Sequence, residues 1–159
     1  QQMIHERIVL PRTGVTITTY LNENSAVEPT RKFPLVLICP GGGYLHRVPR
    51  EGEPVAQRLL VSGIQAVIVH YSCQPAVWPQ ALHEIGEAMA YCRAHAEEWH
   101  ADPHKMAIMG FSAGGHLCCS AATLYDAVNP EAEERYPLSL PLLQPKADST
   151  KRSSRAEQC

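Results

Sequence analysis

Met109 to Leu117 reads MGFSAGGHL, and no other stretch constrains the fold of this chain as tightly. An apolar run, KMAIM, leads directly into Gly110, and a small-residue segment, AGGHLCCSAATLYD, follows directly on Ser112. The pattern is a β-strand that turns sharply into an α-helix with a serine at the apex. Side chains two residues either side of the serine would collide, hence glycine at Gly110 and Gly114. Such a turn holds the Ser112 Oγ above the sheet, with the Ala113 N–H aimed at the same space from a helix N-terminus. A G-x-S-x-G arises by chance in roughly one chain in twenty of this length. Its place between strand and helix argues against accident.

Short β-branched and apolar runs alternate with helical patterns along the rest of the chain, which predicts an α/β fold with a mostly parallel sheet flanked by helices. GVTITTYL reads as an early strand. FPLVLICP, QAVIVHY and KMAIMG read as strands buried on both faces. Between them EPVAQRLLVSG puts Val55, Ala56, Leu59 and Leu60 on one helical face and stops at Gly63, a residue suited to a left-handed cap. PQALHEIGEAMAYCRAHAEEW places Leu82, Ile85, Met89, Cys92, Ala96 and Trp99 in a stripe at spacings of three and four.

The 159 residues suit one domain. The net charge of −2, without a basic run, argues against nucleic acid or an anionic membrane as partner and leaves a small molecule. There is no apolar stretch long enough to span a bilayer, and QQMIHERIVL lacks the form of a signal peptide, so a cytoplasmic setting is expected. The six cysteines (Cys39, Cys73, Cys92, Cys118, Cys119 and Cys159) form no C-x-x-C pair. They are expected to pack as reduced thiols, with no metal framework.

A second signal, CPGGGYLHRVPREGEPVA, places three glycines between a strand end and a helix. Backbone N–H groups of Gly41 and Gly42 can approach a substrate oxygen closely there, since no Cβ intervenes. Neither dinucleotide nor P-loop spacing is present. These segments, with DPHKMAIMGFSAGGHL, the YS at Tyr71 and Ser72, and Trp99, resemble the bacterial α/β-hydrolase group of small carbohydrate or xylan acetyl esterases, relatives of the hormone-sensitive-lipase-like enzymes. The resemblance runs from about Pro34 to about Asp126, with Pro40 where relatives often carry His and Val48 where they usually carry Ser. It implies Ser112 as nucleophile, Gly41, Gly42 and Ala113 as oxyanion-hole amides, no cofactor, and an ester substrate such as an acetylated sugar.

In that fold the triad order is Ser, then Asp or Glu, then His. The last of the eight histidines here is His116. His116 is read as a helix-packing residue pointing away from Oγ. Asp126 and Asp148 lack a strand end to hold them. His100, Asp102 and His104 precede the elbow strand and so lie at least about 17 Å from the serine, at about 3.3 Å per residue. His70 and His46 lie on the catalytic edge, and His46 is the one substitute base that edge offers. The expectation is therefore a partial α/β-hydrolase fold lacking the last strands. Residues 1–126 form the N-terminal part of one domain, and residues 127–159 an irregular, disordered or non-native tail left by a truncation or a frame change near Glu134–Tyr136. Activity is expected to be impaired for want of the triad Asp and His, and an exposed sheet edge to favour self-association. The alternatives are a non-catalytic fragment that binds a ligand or partner, and a peptidase or thioesterase on the same scaffold.

Overall fold

The computed structural model describes residues 3–124. Their elements are β1 (Met3–Ile4), β2 (Arg7–Val9), β3 (Thr16–Asn22), β4 (Phe33–Cys39), α1 (Glu53–Val61), β5 (Gln65–His70), α2 (Gln80–Ala94), β6 (Ala101–Gly110) and α3 (Ala113–Thr123). A 3-10 turn, Pro49–Glu51, feeds α1. The expected tail, together with Asp126, Asp148 and Cys159, lies outside the described residues.

The strands pair in the order β1-β3-β5-β4-β6, with β2 also on β3. Parallel pairing holds over β5-β4-β6, where α1 and α2 make the crossovers. The N-terminal strands pair antiparallel: β1 and β2 on β3, and β3 on β5, so the sheet is mixed. The reversal into β3 is local. Leu10 and Val15 close it with a 2.8 Å hydrogen bond, and Gly14 supplies a φ of 77°.

Side-chain alternation divides the core in two. Leu35, Leu37, Val67 and Val69 face α2 and α3, meeting Leu82, Ile85 and Leu117. Ile38, Ala66, Ile68 and Tyr20 face α1, meeting Ala56, Val55 and Leu59. The predicted apolar faces of both helices are therefore the packed ones, and Gly63 caps α1 at φ 76°. The α2 helix stops at Ala94, although its stripe continues through a turn that still buries Ala96 and Trp99. Its first half is buried on all sides, including Glu84 and Glu87. Buried carboxylates require donors: Glu84 accepts from the Ser72 N–H and hydroxyl, both at 2.7 Å.

In β6 only the second half is regular. Phe33 pairs with Ala101 and Leu35 with Met106, so the intervening residues bulge out around Asp102, whose Oδ1 accepts the His104 N–H at 2.9 Å. Among the described residues no helix is long and apolar enough to cross a membrane.

Candidate active site

β4 and β6 run parallel with Cys39 opposite Gly110, so the glycine loop and the serine turn leave the sheet side by side. The chain passes from β6 to α3 through Phe111 and Ser112 alone. Ser112 takes φ 50° and ψ −115°, a backbone region costly for any residue with a Cβ, and its side chain is exposed. The turn is held by Phe111 N–H to Cys39 O (3.2 Å) and Gly114 N–H to Phe111 O (2.8 Å).

Both flanking glycines are sterically required. A Cβ on Gly110 would lie 2.2 Å from the Gly114 carbonyl oxygen, and one on Gly114 would lie 2.0 Å from the Cys39 carbonyl oxygen. The obstacle at Gly114 is thus the end of β4, and not Gly110 as the motif suggests. The Ala113 N–H, at the first position of α3, has no acceptor among the described residues.

The glycine loop departs from expectation at one amide. Gly41 is buried, and its N–H donates to Glu51 Oε2 at 2.8 Å. An amide already bound to a carboxylate is not available to an oxyanion, so Gly41 is a fastening point of the loop. Gly42 (φ 138°) and Gly43 (φ 64°) have N–H groups without an acceptor among the described residues. The Val48 N–H returns to Gly41 O at 2.8 Å, and the Tyr71 hydroxyl donates to Pro40 O, closing the loop at both ends. Burial pushes the Tyr71 phenol well up from its ordinary range, so it stays a donor.

His116 is exposed and lies outside the packed core. Residues four apart on a helix share a face, which places His116 on the Ser112 side of α3. There its Nδ1 meets the Tyr44 hydroxyl at 2.8 Å, with Trp78 beyond it at 6.0 Å between ring centroids. This bond ties α3 to the glycine loop.

His46 lines a groove on the α1 face that does not include Ser112. His70 bonds Thr18 Oγ1 at 2.8 Å in the same groove; burial, then Arg47 and Arg7, bring its pKa down to about 4. His5 bonds the Thr19 carbonyl, His95 stacks on Tyr91, and His100 and His104 sit at the opposite end of β6. Among the described residues no histidine ring hydrogen-bonds the Ser112 hydroxyl; the one histidine bond to this residue is backbone, from the His116 N–H to the Ser112 carbonyl at 3.0 Å. Cys39 and Cys92 are buried as expected, whereas Cys119 is exposed, and the Cys118 thiol interacts with that of Cys39 beneath the turn.

Sequence reasoning missed Glu51 and the Tyr44–His116 bond. Glu51 lies inside REGEPVA, where an acid ahead of a helix reads as a helix-start residue. Its turn back onto Gly41 depends on the 3-10 geometry of Pro49–Glu51.

A family model described as BD-FAE matches residues 20–143. Over 103 residues, 60% of this chain and 16% of the relative, the sequence is 36% identical to Endo-1,4-beta-xylanase B of Butyrivibrio fibrisolvens. Among solved structures, MGS-M1, an alpha/beta hydrolase enzyme from a Medee basin deep-sea metagenome library, superposes with a TM-score of 0.71 at 38% identity, over 77% of this chain and 52% of that one. An acetyl ester-xyloside bifunctional hydrolase from Caldicellulosiruptor lactoaceticus does so at 0.64 and 32% identity, over 71% of this chain and 40% of that one. The chain thus spans about half or less of the length of these relatives. It belongs to the BD-FAE family, and its sheet, glycine loop and serine turn have the architecture of an α/β hydrolase.

Proposed function

We propose that this chain carries the nucleophile half of a serine carboxylesterase site that removes acetyl groups from small sugars. The observation that carries the reading is Ser112 at a strained strand-to-helix apex, with three amides, Gly42, Gly43 and Ala113, that have no acceptor among the described residues. Ser112 Oγ attacks the ester carbonyl carbon, its proton passes to a histidine, and the amides hold the oxyanion. The sugar alcohol then leaves with that proton, and water releases acetate from the serine. The acetylated sugar as substrate rests on the xylan-related and acetyl-ester relatives alone. No histidine ring bonds the Ser112 hydroxyl among the described residues and the chain spans about half or less of the length of its relatives, so we assign acid and base to polypeptide beyond residues 3–124. His46, facing the other groove, is given no role.

Hydrolysis of p-nitrophenyl acetate by the folded chain and by Ser112→Ala, with and without added imidazole, tests this. The expected result is near-equal, very low rates without imidazole, and an imidazole-driven excess in the wild type alone, because the added base replaces the absent one. Strong serine-dependent turnover without imidazole would overturn the missing base. Equal rates under every condition would overturn Ser112 as nucleophile.

A further inference from the structure

The groove on the α1 face, about 760 Å³ in volume, is walled by β3 and β5, by the loop from Leu45 to Pro49 and by the start of α1. Its charge is predominantly positive. Arg47 is half-buried and held in one orientation, since its Nη1 donates to the Tyr71 carbonyl and lies 3.8 Å from the Cys73 sulfur. Its Nε and Nη2 donors have no acceptor among the described residues. Arg7 enters from β2, opposite Thr18, and forms no ion pair with any described carboxylate. The one carboxylate on the walls, Glu53, accepts from Gln57 at 3.2 Å and lies toward Tyr20.

Arg7 and Arg47 thus line the groove together with His70, and after burial their two charges push the His70 imidazole below its ordinary pKa. Hydroxyls from Thr18 and Tyr20 line the same walls. A fixed guanidinium with a free N–H edge matches the geometry of a planar or tetrahedral oxyanion, and a second arginine doubles the charge available. Polar donors placed in a concavity set ligand orientation and specificity.

We propose that this groove binds the anionic group of a small ligand, a carboxylate or a phosphate, on the free edge of Arg47 with Arg7 opposite. The site is separate from Ser112, and it does not depend on the esterase reading. The loop from Leu45 to Pro49 joins the two, because it leaves the glycine turn and forms one wall of the groove.

The test titrates the full chain with inorganic phosphate, with glucuronate and with uncharged glucose, following the His70 ring by NMR. Wild type, Arg7→Gln, Arg47→Gln and Ser112→Ala are compared. Saturable shifts are expected with at least one anion and none with glucose. Affinity should fall about tenfold in each arginine variant, weaken with added salt, and persist in Ser112→Ala. The bound anion also offsets the two guanidinium charges, so the His70 pKa should rise from about 4 on saturation. The tighter of the two anions identifies the source. If Arg47→Gln fails to fold through loss of its bond to Tyr71, Arg7→Gln on the exposed β2 strand decides the question. No saturable shift with either anion, or equal affinity in the folded arginine variants, would overturn the proposal.

Discussion

Gly114 has no room for a side chain, because the carbonyl oxygen that a Cβ would strike, 2.0 Å away, belongs to the end of a central strand and cannot swing aside. Gly114→Ala should therefore cost at least about 3 kcal/mol, the upper end for overpacking, in urea denaturation. Gly43→Ala is the control: nothing lies within 4 Å of a Cβ there, and the cost is the left-handed φ of 64° alone, about 1 kcal/mol. Equal effects would mean that backbone angle, and not close approach, sets the glycine requirement. His70 gives a pH signature. Its folded pKa of about 4 lies below the ordinary histidine value, so between about 6.5 and about 4 the unfolded chain binds the extra proton. Stability from this residue is complete above about 6.5 and declines as pH falls through that window. His70→Gln should flatten that part of the stability-versus-pH curve, and an unchanged slope would show that His70 titrates normally.

The elements are joined by polar groups that the apolar pattern does not reveal. Glu87 of α2 is buried, and it accepts the Arg12 N–H at 2.9 Å, the Thr13 N–H at 3.1 Å and the Thr13 hydroxyl at 3.1 Å, so the turn leading into β3 hangs on one carboxylate. Glu87→Ala should cost about 2 kcal/mol, the range for hydrogen bonds to a charged acceptor, and speed amide exchange in Arg12 and Thr13. A loss confined to α2 would argue that Glu87 serves its own helix only. Gln65 does the same work at the far end of the sheet, tying Asn22 to the Trp99 carbonyl. Periodicity made the strands β3 to β5 and both packing faces legible, because burial is what periodicity records. It was silent on Glu51, Glu87 and Gln65, since a buried polar residue reads as a surface one until its partner, far off in sequence, is known. β1 and β2 are too short to show a period at all. The serine turn was readable because its requirements are local: strand, two glycines, helix. The hydrogen bond on Gly41 was not, because it spans ten residues and two turns.

At the scale of the molecule, the described sheet ends at β6, and what covers β6 decides how this chain behaves. One edge of β6 pairs with β4; the other has no partner among the described residues. Ala107 is exposed, and Met106, Ile108 and Met109 are only half-buried, although they sit in the strand that positions Ser112. An apolar strand edge of this kind is a template for another strand. Burying its apolar side chains would be favourable at about 25 cal/mol per Å², and pairing would satisfy its free backbone groups as well. The chain should accordingly associate through this edge, with an apparent mass in sedimentation velocity that rises with concentration. Ala107→Lys, a charge at an already exposed position, should lower that mass while leaving the fold measured by circular dichroism intact. A monodisperse monomer at every concentration would mean that residues beyond Leu124 cover β6. Association indifferent to Ala107→Lys would place the contact elsewhere, with the exposed Leu45, Val77 and Trp78 beside the active-site edge as the next surface to substitute. The two outcomes bear on the serine turn differently. A contact at β6 would lie along the strand that ends at the serine turn. A contact at Trp78 would instead lie against the His116 ring and its bond to Tyr44.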